Sequence, residues 1–480
     1  EPAMIKKLIA KRAKQFKDNI AMLDIDLSKA YDTVEQWVVE TALRRMGTPY
    51  AFINMLTTLH AKHTVAAKTG QGTTLGINPE RGACPQGAIE SCMIFLAIMD
   101  MGMDVTSKAN TRPYQIGECY AKQIAYCDDA TYIVHGDTQD LQEVVNALAA
   151  FNHIASLDIN YKKSFVCALR WDDEGDIIKK CKPPPLQLTT YSPDFHPTST
   201  DDIGNKILAP WKIVARPNSK AARIKEIQPD EEFRHLGSFQ TTLGDSSQSI
   251  EALTRSVRIS AHMLNRQTVT ADHALYCSNS VTRAEALYRL KFSNASIGQI
   301  DTAQSQLKDV LLNKAGMNKK TNMHVVWGKY VGMNLNRWAD VVNTERLSML
   351  THALNQNGTL VRAVMLDAID RLQKLSVTNR PILSTAFTTS PANNASPSWM
   401  YRLWEWMSSH KISITDPALD EAATHRQGTS LIDTLAATDT HTRQRATTML
   451  NSIQNSEGST GVCNTGDITM KDGCTLTLAA

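Results

Sequence analysis

Along this chain the spacing of apolar and polar positions switches between a period of two and one near 3.6, and each switch marks an element. Ile20 to Leu27 alternates so that Leu23 and Ile25 face one side while Asp24 and Asp26 face the other, predicting a strand with carboxylates on its open face. Gln123 to Val134 is strand-like as well, with β-branched or aromatic residues at Ile124, Tyr126, Tyr132, Ile133 and Val134. Asp128 and Asp129 interrupt it, predicting a hairpin with the acids at or just after its turn. A further hairpin with a Gly-rich turn is expected over 64–77.

Helical spacing begins at residues 4–17, where Ile5, Leu8, Ile9, Ala13 and Phe16 form a stripe opposite six cations and no acid. Such a face can track phosphates, but a solvated basic face is the plainer reading. Val34, Trp37, Val38, Thr41 and Ala42 define the next helix, with Asp32 and Glu35 spaced as a capping box. Arg81 to Ile89 is a loop opening a helix whose buried stripe is expected at Ile89, Met93, Leu96 and Met103. Another helix is expected over 140–154, and from about 247 onward the pattern predicts helices at 248–265, 280–292, 299–315, 336–355 and 360–374. Residues 181–230, rich in Pro, Ser and Thr, read as a loop insertion, and the chain beyond about Asn451 as a tail without order.

Composition narrows the function classes. The 480 residues suffice for two or three domains with a sizeable core, and the net charge of +3 means that nucleic-acid binding must come from local basic patches. One such strip is Lys308, Lys314, Lys319 and Lys320. The nine cysteines are scattered without a CxxC pair, which argues against a zinc site and a disulfide framework and for a reducing compartment. The longest apolar run, Cys92 to Met99, is far short of a membrane span, so no membrane partner is expected, and no signal peptide is visible.

The candidate chemistry lies in the acids. Adjacent carboxylates repel and raise one another's pKa unless a cation neutralises them, and hard oxygen ligands suit Mg²⁺ or Mn²⁺. An Asp-rich turn held by its own backbone hydrogen bonds is the alternative for Asp128 and Asp129. Asp26 has no such structural reason. An acid on a strand, a Gln-Gly turn (Gln86, Gly87) opening a helix, then an Asp-Asp hairpin, in that order, resemble the palm of a polynucleotide polymerase. Two-metal catalysis there needs carboxylates from adjacent strands.

Among polymerases the chain resembles the reverse transcriptases of non-LTR (LINE-type) retrotransposons. Leu23-Asp24-Ile25-Asp26-Leu27-Ser28-Lys29-Ala30-Tyr31-Asp32-Thr33-Val34 is similar to motif A, Arg81 to Gly87 to motif B, and Tyr126-Cys127-Asp128-Asp129 to motif C. Leu157 to Ser164 is similar to motif D, and His235-Leu236-Gly237 to the primer grip. Leu307 to Met317, Val326-Trp327-Gly328 and Gly332 to Leu335 extend the likeness, to about residue 370.

The resemblance implies an α+β right-hand polymerase fold: partial fingers and a palm over residues 1–240, an antiparallel sheet with helices on one face. It implies an all-helical thumb over 241–375, followed by a helical or irregular C-terminal region over 376–480 with a disordered tail. It implies that Asp26, Asp128 and Asp129 hold two Mg²⁺ ions, or Mn²⁺. Leu27, Tyr31, Gln86, Gly87 and Lys163 are the implied nucleotide contacts, with Tyr31 as a gate against a 2′-hydroxyl and Lys163 as a proton donor to pyrophosphate. Asp24 shares the strand face of Asp26 and competes with it for the metal role. The implied partners are an RNA template, a DNA primer, dNTP and the remainder of a retroelement polyprotein, in a ribonucleoprotein of nucleus and cytoplasm. Only about twenty residues precede motif A, so an N-terminally incomplete fragment, weak or inactive alone, is expected. An RNA-dependent RNA polymerase and a non-catalytic RNA-binding derivative of a retroelement are the rival readings.

Overall fold

Ile20–Ile25 (β1) forms the middle of a five-stranded sheet, because its apolar residues on both faces demand burial on both. The other strands are Gln123–Tyr126 (β2), Asp129–His135 (β3), Phe165–Leu169 (β4) and Lys225–Ile227 (β5). Their order is β5-β4-β1-β3-β2. The β4–β1, β1–β3 and β3–β2 pairs are antiparallel while β5 joins β4 in parallel, so the sheet is mixed, not purely antiparallel as the sequence suggested. This computed structural model describes residues 2–28, 30–61, 64, 66, 68–70, 72–74, 76, 84, 88–160, 162–172, 174–178, 187–188, 198–200, 206–208, 222–236, 238–243, 248–328, 332–376, 381–385, 387, 398–415, 465–469 and 475–479.

Ala21, Leu23 and Ile25 project into one core shared with the helices Gln36–Arg45, Tyr50–Ala61, Ile89–Ala109 and Gln142–Ile154. Each fully buried aliphatic side chain there contributes about 1.5–3 kcal/mol. On the opposite face Ile20, Met22, Ile133, Cys167 and Leu169 are buried too. The expected open face, with helices on one side only, is therefore corrected: both faces are closed to solvent, because both carry apolar side chains.

Three helical expectations need correction. The first helix, Pro2–Phe16, buries Lys6 and Lys7 along with Ile5, Leu8, Ile9 and Ala13 and leaves Phe16 exposed, so its cationic face is not simply solvated. Lys7 Nζ donates to the carbonyl of Phe292 at 2.8 Å, and Lys6 Nζ lies 4.7 Å from the Phe233 ring centroid. Gln36–Arg45 starts after Glu35, not Asp32, and no side chain caps it. Glu35 instead accepts from Trp37 Nε1 at 2.8 Å and from Ser156 Oγ at 2.9 Å. Ile89–Ala109 buries Ile94, Phe95 and Ile98, while Met93 and Leu96 are exposed. Apolar residues surround that helix from 92 to 99, so the periodicity could not select its inner face.

The chain divides into two compact units, Ala10–Glu231 and Ala3–Ile9 with Glu232–Ala480. The second unit is mainly helical: Gln248–Arg266, Arg283–Leu290, Ile297–Lys314, Trp338–Leu354 and Leu360–Ser376 match the periodic segments closely. Its core joins Leu253, Val257, Leu307, Leu311 and Trp338. The fully buried Arg346 satisfies the carbonyls of Leu290 and Ser293 at 2.9 and 2.8 Å. The region expected as a tail without order contains two strands, Thr465–Thr469 and Thr475–Ala479, which pair with each other and, through the latter, with Ile412–Thr415. In Thr475–Ala479 alternating Thr and Leu favour that pleated state. The loop insertion at 181–230 falls largely outside the described residues; within it 187–188 pairs with 222–223 and 198–200 with 206–208. Among the described residues, no helix is long and apolar enough to cross a membrane.

Candidate active site

The acids meet at one end of the sheet. Tyr126 pairs with Asp129, so β2 and β3 are joined by the two-residue loop Cys127-Asp128, the hairpin read from the sequence. Cys127 has φ +54°, whereas Asp128 is not among the positive-φ residues. A positive φ at the first loop residue alone is the pattern of a type II′ turn, a geometry glycine accepts most easily. The hairpin thus presents Asp128 at its tip and Asp129 at the start of β3.

Asp26 lies one residue past β1, where the segment following helix Gln142–Ile154 clasps its backbone. Asn160 N–H donates to the Asp26 carbonyl at 2.8 Å, the Asp26 N–H donates to Ser164 Oγ at 3.1 Å, and the Ser164 hydroxyl donates to the Asn160 carbonyl at 2.9 Å. Leu27 and Ser28 pair with Ile159 and Asp158. The backbone is fixed and the side chain is not. Oδ2 of Asp26 is buried and has no hydrogen-bond partner among the described residues; Lys163 Nζ approaches it only to 3.7 Å. A buried carboxylate oxygen without a donor is costly, so it marks a position suited to a cation.

Asp24 differs. Its side chain accepts from Thr131 Oγ1 at 2.5 Å and from Cys167 Sγ at 3.7 Å, inside the sheet, with 6% of its surface exposed. Two neighbouring strands thus supply it with donors, the arrangement of a structural acid.

Like charge is evident at Asp129, whose pKa is pushed up to about 6. Burial contributes most, then the charges of Asp128, Asp26 and Asp24, with Lys163 opposing. Among the described residues, no group of three His, Cys, Asp or Glu side chains is arranged to hold a metal ion. Mg²⁺, however, typically binds through one or two carboxylates plus substrate phosphates and water. The orphaned oxygen of Asp26 and the mutual repulsion at Asp129 fit that donor set.

Tyr31 sits in the short helix Ala30–Thr33 and stacks on the buried Phe95, ring centroids 4.6 Å apart at 28°. Its hydroxyl reaches Cys92 Sγ at 4.0 Å, and its pKa is pushed up to about 12 by burial, then by Cys92, Cys127 and Asp128. The tyrosine is thus a neighbour of the hairpin tip. Leu27 is buried in the sheet core. Gln86, Gly87 and Gly237 lie outside the described residues. His235 and Leu236 belong to the other unit, in the hairpin Phe233–His235/Ser238–Gln240, where Tyr288 Oη donates to the Leu236 carbonyl.

The sequence reading missed Ser164 and Asn160 as the clasp of Asp26, Phe95 as the support of Tyr31, and Thr131 as the partner of Asp24. Ser164 and Asn160 lie in the stretch similar to motif D, which was a usable signal; Phe95, in an all-apolar run, had none.

Residues 2–237 match the reverse transcriptase (RNA-dependent DNA polymerase) family model. That match takes in β1 to β5 and every carboxylate of the site. Solved structures similar to the chain include telomerase from Candida tropicalis with a TWJ fragment of telomeric RNA, at 12% identity and TM-score 0.29, over 75% of this chain and 52% of that one. The corresponding complex from Candida albicans gives 11%, 0.27, 75% and 52%, and apo telomerase from Candida tropicalis 11%, 0.31, 75% and 54%. The chain spans about half the length of these structures.

Proposed function

We propose that the unit Ala10–Glu231 acts as the palm of an RNA-directed DNA polymerase of non-LTR retrotransposon type, working with the second unit as thumb. The observation that carries this reading is the orphaned Oδ2 of Asp26 beside a hairpin bearing Asp128 and Asp129, while Asp24, two residues before it on the same strand face, is satisfied. Asp26 and Asp128 hold divalent metal, Mg²⁺ or Mn²⁺, with Asp129 assisting. Bound there, two cations would activate a primer hydroxyl and stabilise departing pyrophosphate.

The protein's own groups do the rest. Asn160 and Ser164 keep Asp26 in register with the hairpin. Tyr31, braced by Phe95, occupies the space where a ribose 2′-hydroxyl would enter, which selects dNTP. Lys163, 3.7 Å from Asp26, offers a proton to pyrophosphate. His235 and Leu236 hold the primer end. The retrotransposon origin, and with it an intracellular ribonucleoprotein setting, is supported by the motif order quoted from the sequence.

Primer extension on an RNA template tests the reading. Weak cation-dependent incorporation of dNTP over rNTP is expected, and Tyr31→Ala should narrow that preference while sparing incorporation of dNTP. Equal use of both by the unaltered chain would favour an RNA-synthesising enzyme. RNA binding without any metal-dependent synthesis would favour a non-catalytic binder.

A further inference from the structure

Trp327-Gly328 and Gly332 to Leu335 extended the likeness in the sequence, yet they lie outside the carboxylate-bearing unit. In the structure they tie a compact backbone knot after the helix Met323–Trp327. Met333 N–H donates to the Val325 carbonyl at 2.8 Å, Asn334 N–H to that of Gly328 at 3.0 Å, and Leu335 N–H to that of Val326 at 3.2 Å. A Cβ on Gly332 would fall 2.2 Å from the Val325 oxygen, and one on Gly328 2.5 Å from the His324 oxygen. These glycines permit close backbone approach, and the approach fixes Trp327.

Trp327 so held walls a cavity of about 340 Å³, with Ser305, Lys308, Asp301, Met323 and Arg337 among its lining. That volume lies at the lower end of small-ligand pockets, which run from about 300 to 1,000 Å³. Gln304, also in the wall, is occupied with the backbone: Nε2 donates to the Asn336 carbonyl at 2.6 Å and Oε1 accepts from Trp338 N–H at 2.9 Å. Arg337 is matched to Asp301 by two hydrogen bonds, 3.1 and 2.6 Å. Lys308 is not matched in this way: Asp309 is 4.0 Å from it and also faces Lys319 at 3.7 Å, so one carboxylate serves two ammonium groups. An indole wall, a thioether and a surplus cation suit a flat aromatic ring that carries negative charge.

We propose that this cavity binds a nucleotide, its base stacked on Trp327 and its phosphate at Lys308, supplied by single-stranded RNA or by free mononucleotide. The site stands on the second unit alone and is independent of the polymerase reading. Irradiating the full chain with a single-stranded RNA dodecamer containing 5-iodouridine, followed by mass spectrometry, is expected to place a crosslink on Trp327. Lys308→Gln should weaken binding at that position several-fold and reduce its logarithmic salt slope by about 0.7, the value for one phosphate contact on a single strand. Ser305→Tyr, filling the cavity, should block the crosslink, and both variants should keep the unaltered melting temperature. Displacement by excess UMP would identify a mononucleotide as the source; displacement by unlabelled RNA alone would identify the oligonucleotide. Asp128→Ala should keep the crosslink while losing synthesis, so the two readings fail separately. Crosslinks confined to other residues, or crosslinking at Trp327 unchanged by both Lys308→Gln and Ser305→Tyr, would overturn the proposal.

Discussion

The two ends of the five-stranded sheet treat their acids in opposite ways. At the end where β1 begins, Arg170 donates to Asp137 at 2.6 Å, to Glu226 at 2.6 Å and to Thr138 at 3.3 Å. Asp137 also caps the next turn, accepting from Thr138 N–H at 2.5 Å, while its own N–H donates to Asp140 at 2.8 Å. Asp137, Asp140 and Glu226 each have a donor that folding itself supplies. At the other end the charges of Asp128 and Asp26 bear on Asp129, and among the described residues Lys163, its side chain 70% exposed, lies 3.7 Å from Asp26. Folding that crowds acids without matching them is stable only at a cost, and the cost is sensible where a ligand supplies the missing charge. The contrast separates acids that hold the sheet together from acids that the sheet holds ready.

The largest expected break between the two ends is in activity. Asp128→Asn should lower templated dNTP incorporation by roughly a thousandfold or more, since several kcal/mol of charge stabilisation are lost, while leaving the melting temperature unchanged or raised. Arg170→Met should do the reverse. It strands two acids, and a loss of about 3 kcal/mol in chemical denaturation is expected, with incorporation per folded molecule unchanged. A variant of Arg170 that folds normally but does not synthesise would erase the distinction.

A smaller effect should appear with pH. With a chelator present, Asp129 keeps its proton in the folded chain up to about 6, whereas an ordinary Asp releases it near 3.8. Between those values the unfolded chain holds fewer protons than the folded one, so stability falls as pH rises across the window and stays lower above it. Asp129→Asn should flatten that decline in a series of thermal melts, and Mn²⁺ should oppose it at pH 7. A melting temperature rising over the window would contradict the crowding of the acids. The smallest effect is expected at the turn: Cys127→Gly should relieve the positive φ and stabilise the fold by about 1 kcal/mol, read by urea denaturation. Destabilisation of that size would mean the thiol contributes packing that outweighs the turn.

The hairpin at this end was legible because acids stand out in a strand-like run. An Asp-Asp pair inside a β-branched run has few structural uses, and the choice of Asp26 over Asp24 as its partner was implied by the resemblance, not by alternation. The long helices of the second unit were legible from periodicity, to within a few residues at most ends. The burial of Asp24 was not, because it depends on what covers the second face of the sheet and on Thr131 and Cys167 from two other strands. Nor was the burial of Lys6 and Lys7, whose surroundings come from residues more than two hundred positions away, among them Phe233 and the Phe292 carbonyl. Alternation places Asp24 and Asp26 alike; only tertiary structure tells the satisfied acid from the unsatisfied one.

That difference gives the most direct test. RNA-templated primer extension with dNTP and Mg²⁺ or Mn²⁺ should be measured side by side for the unaltered chain, Asp24→Asn and Asp26→Asn, each normalised to folded protein. Weak cation-dependent synthesis by the unaltered chain is expected, retained by Asp24→Asn and lost in Asp26→Asn. Synthesis retained in Asp26→Asn, or lost only in Asp24→Asn, would contradict it.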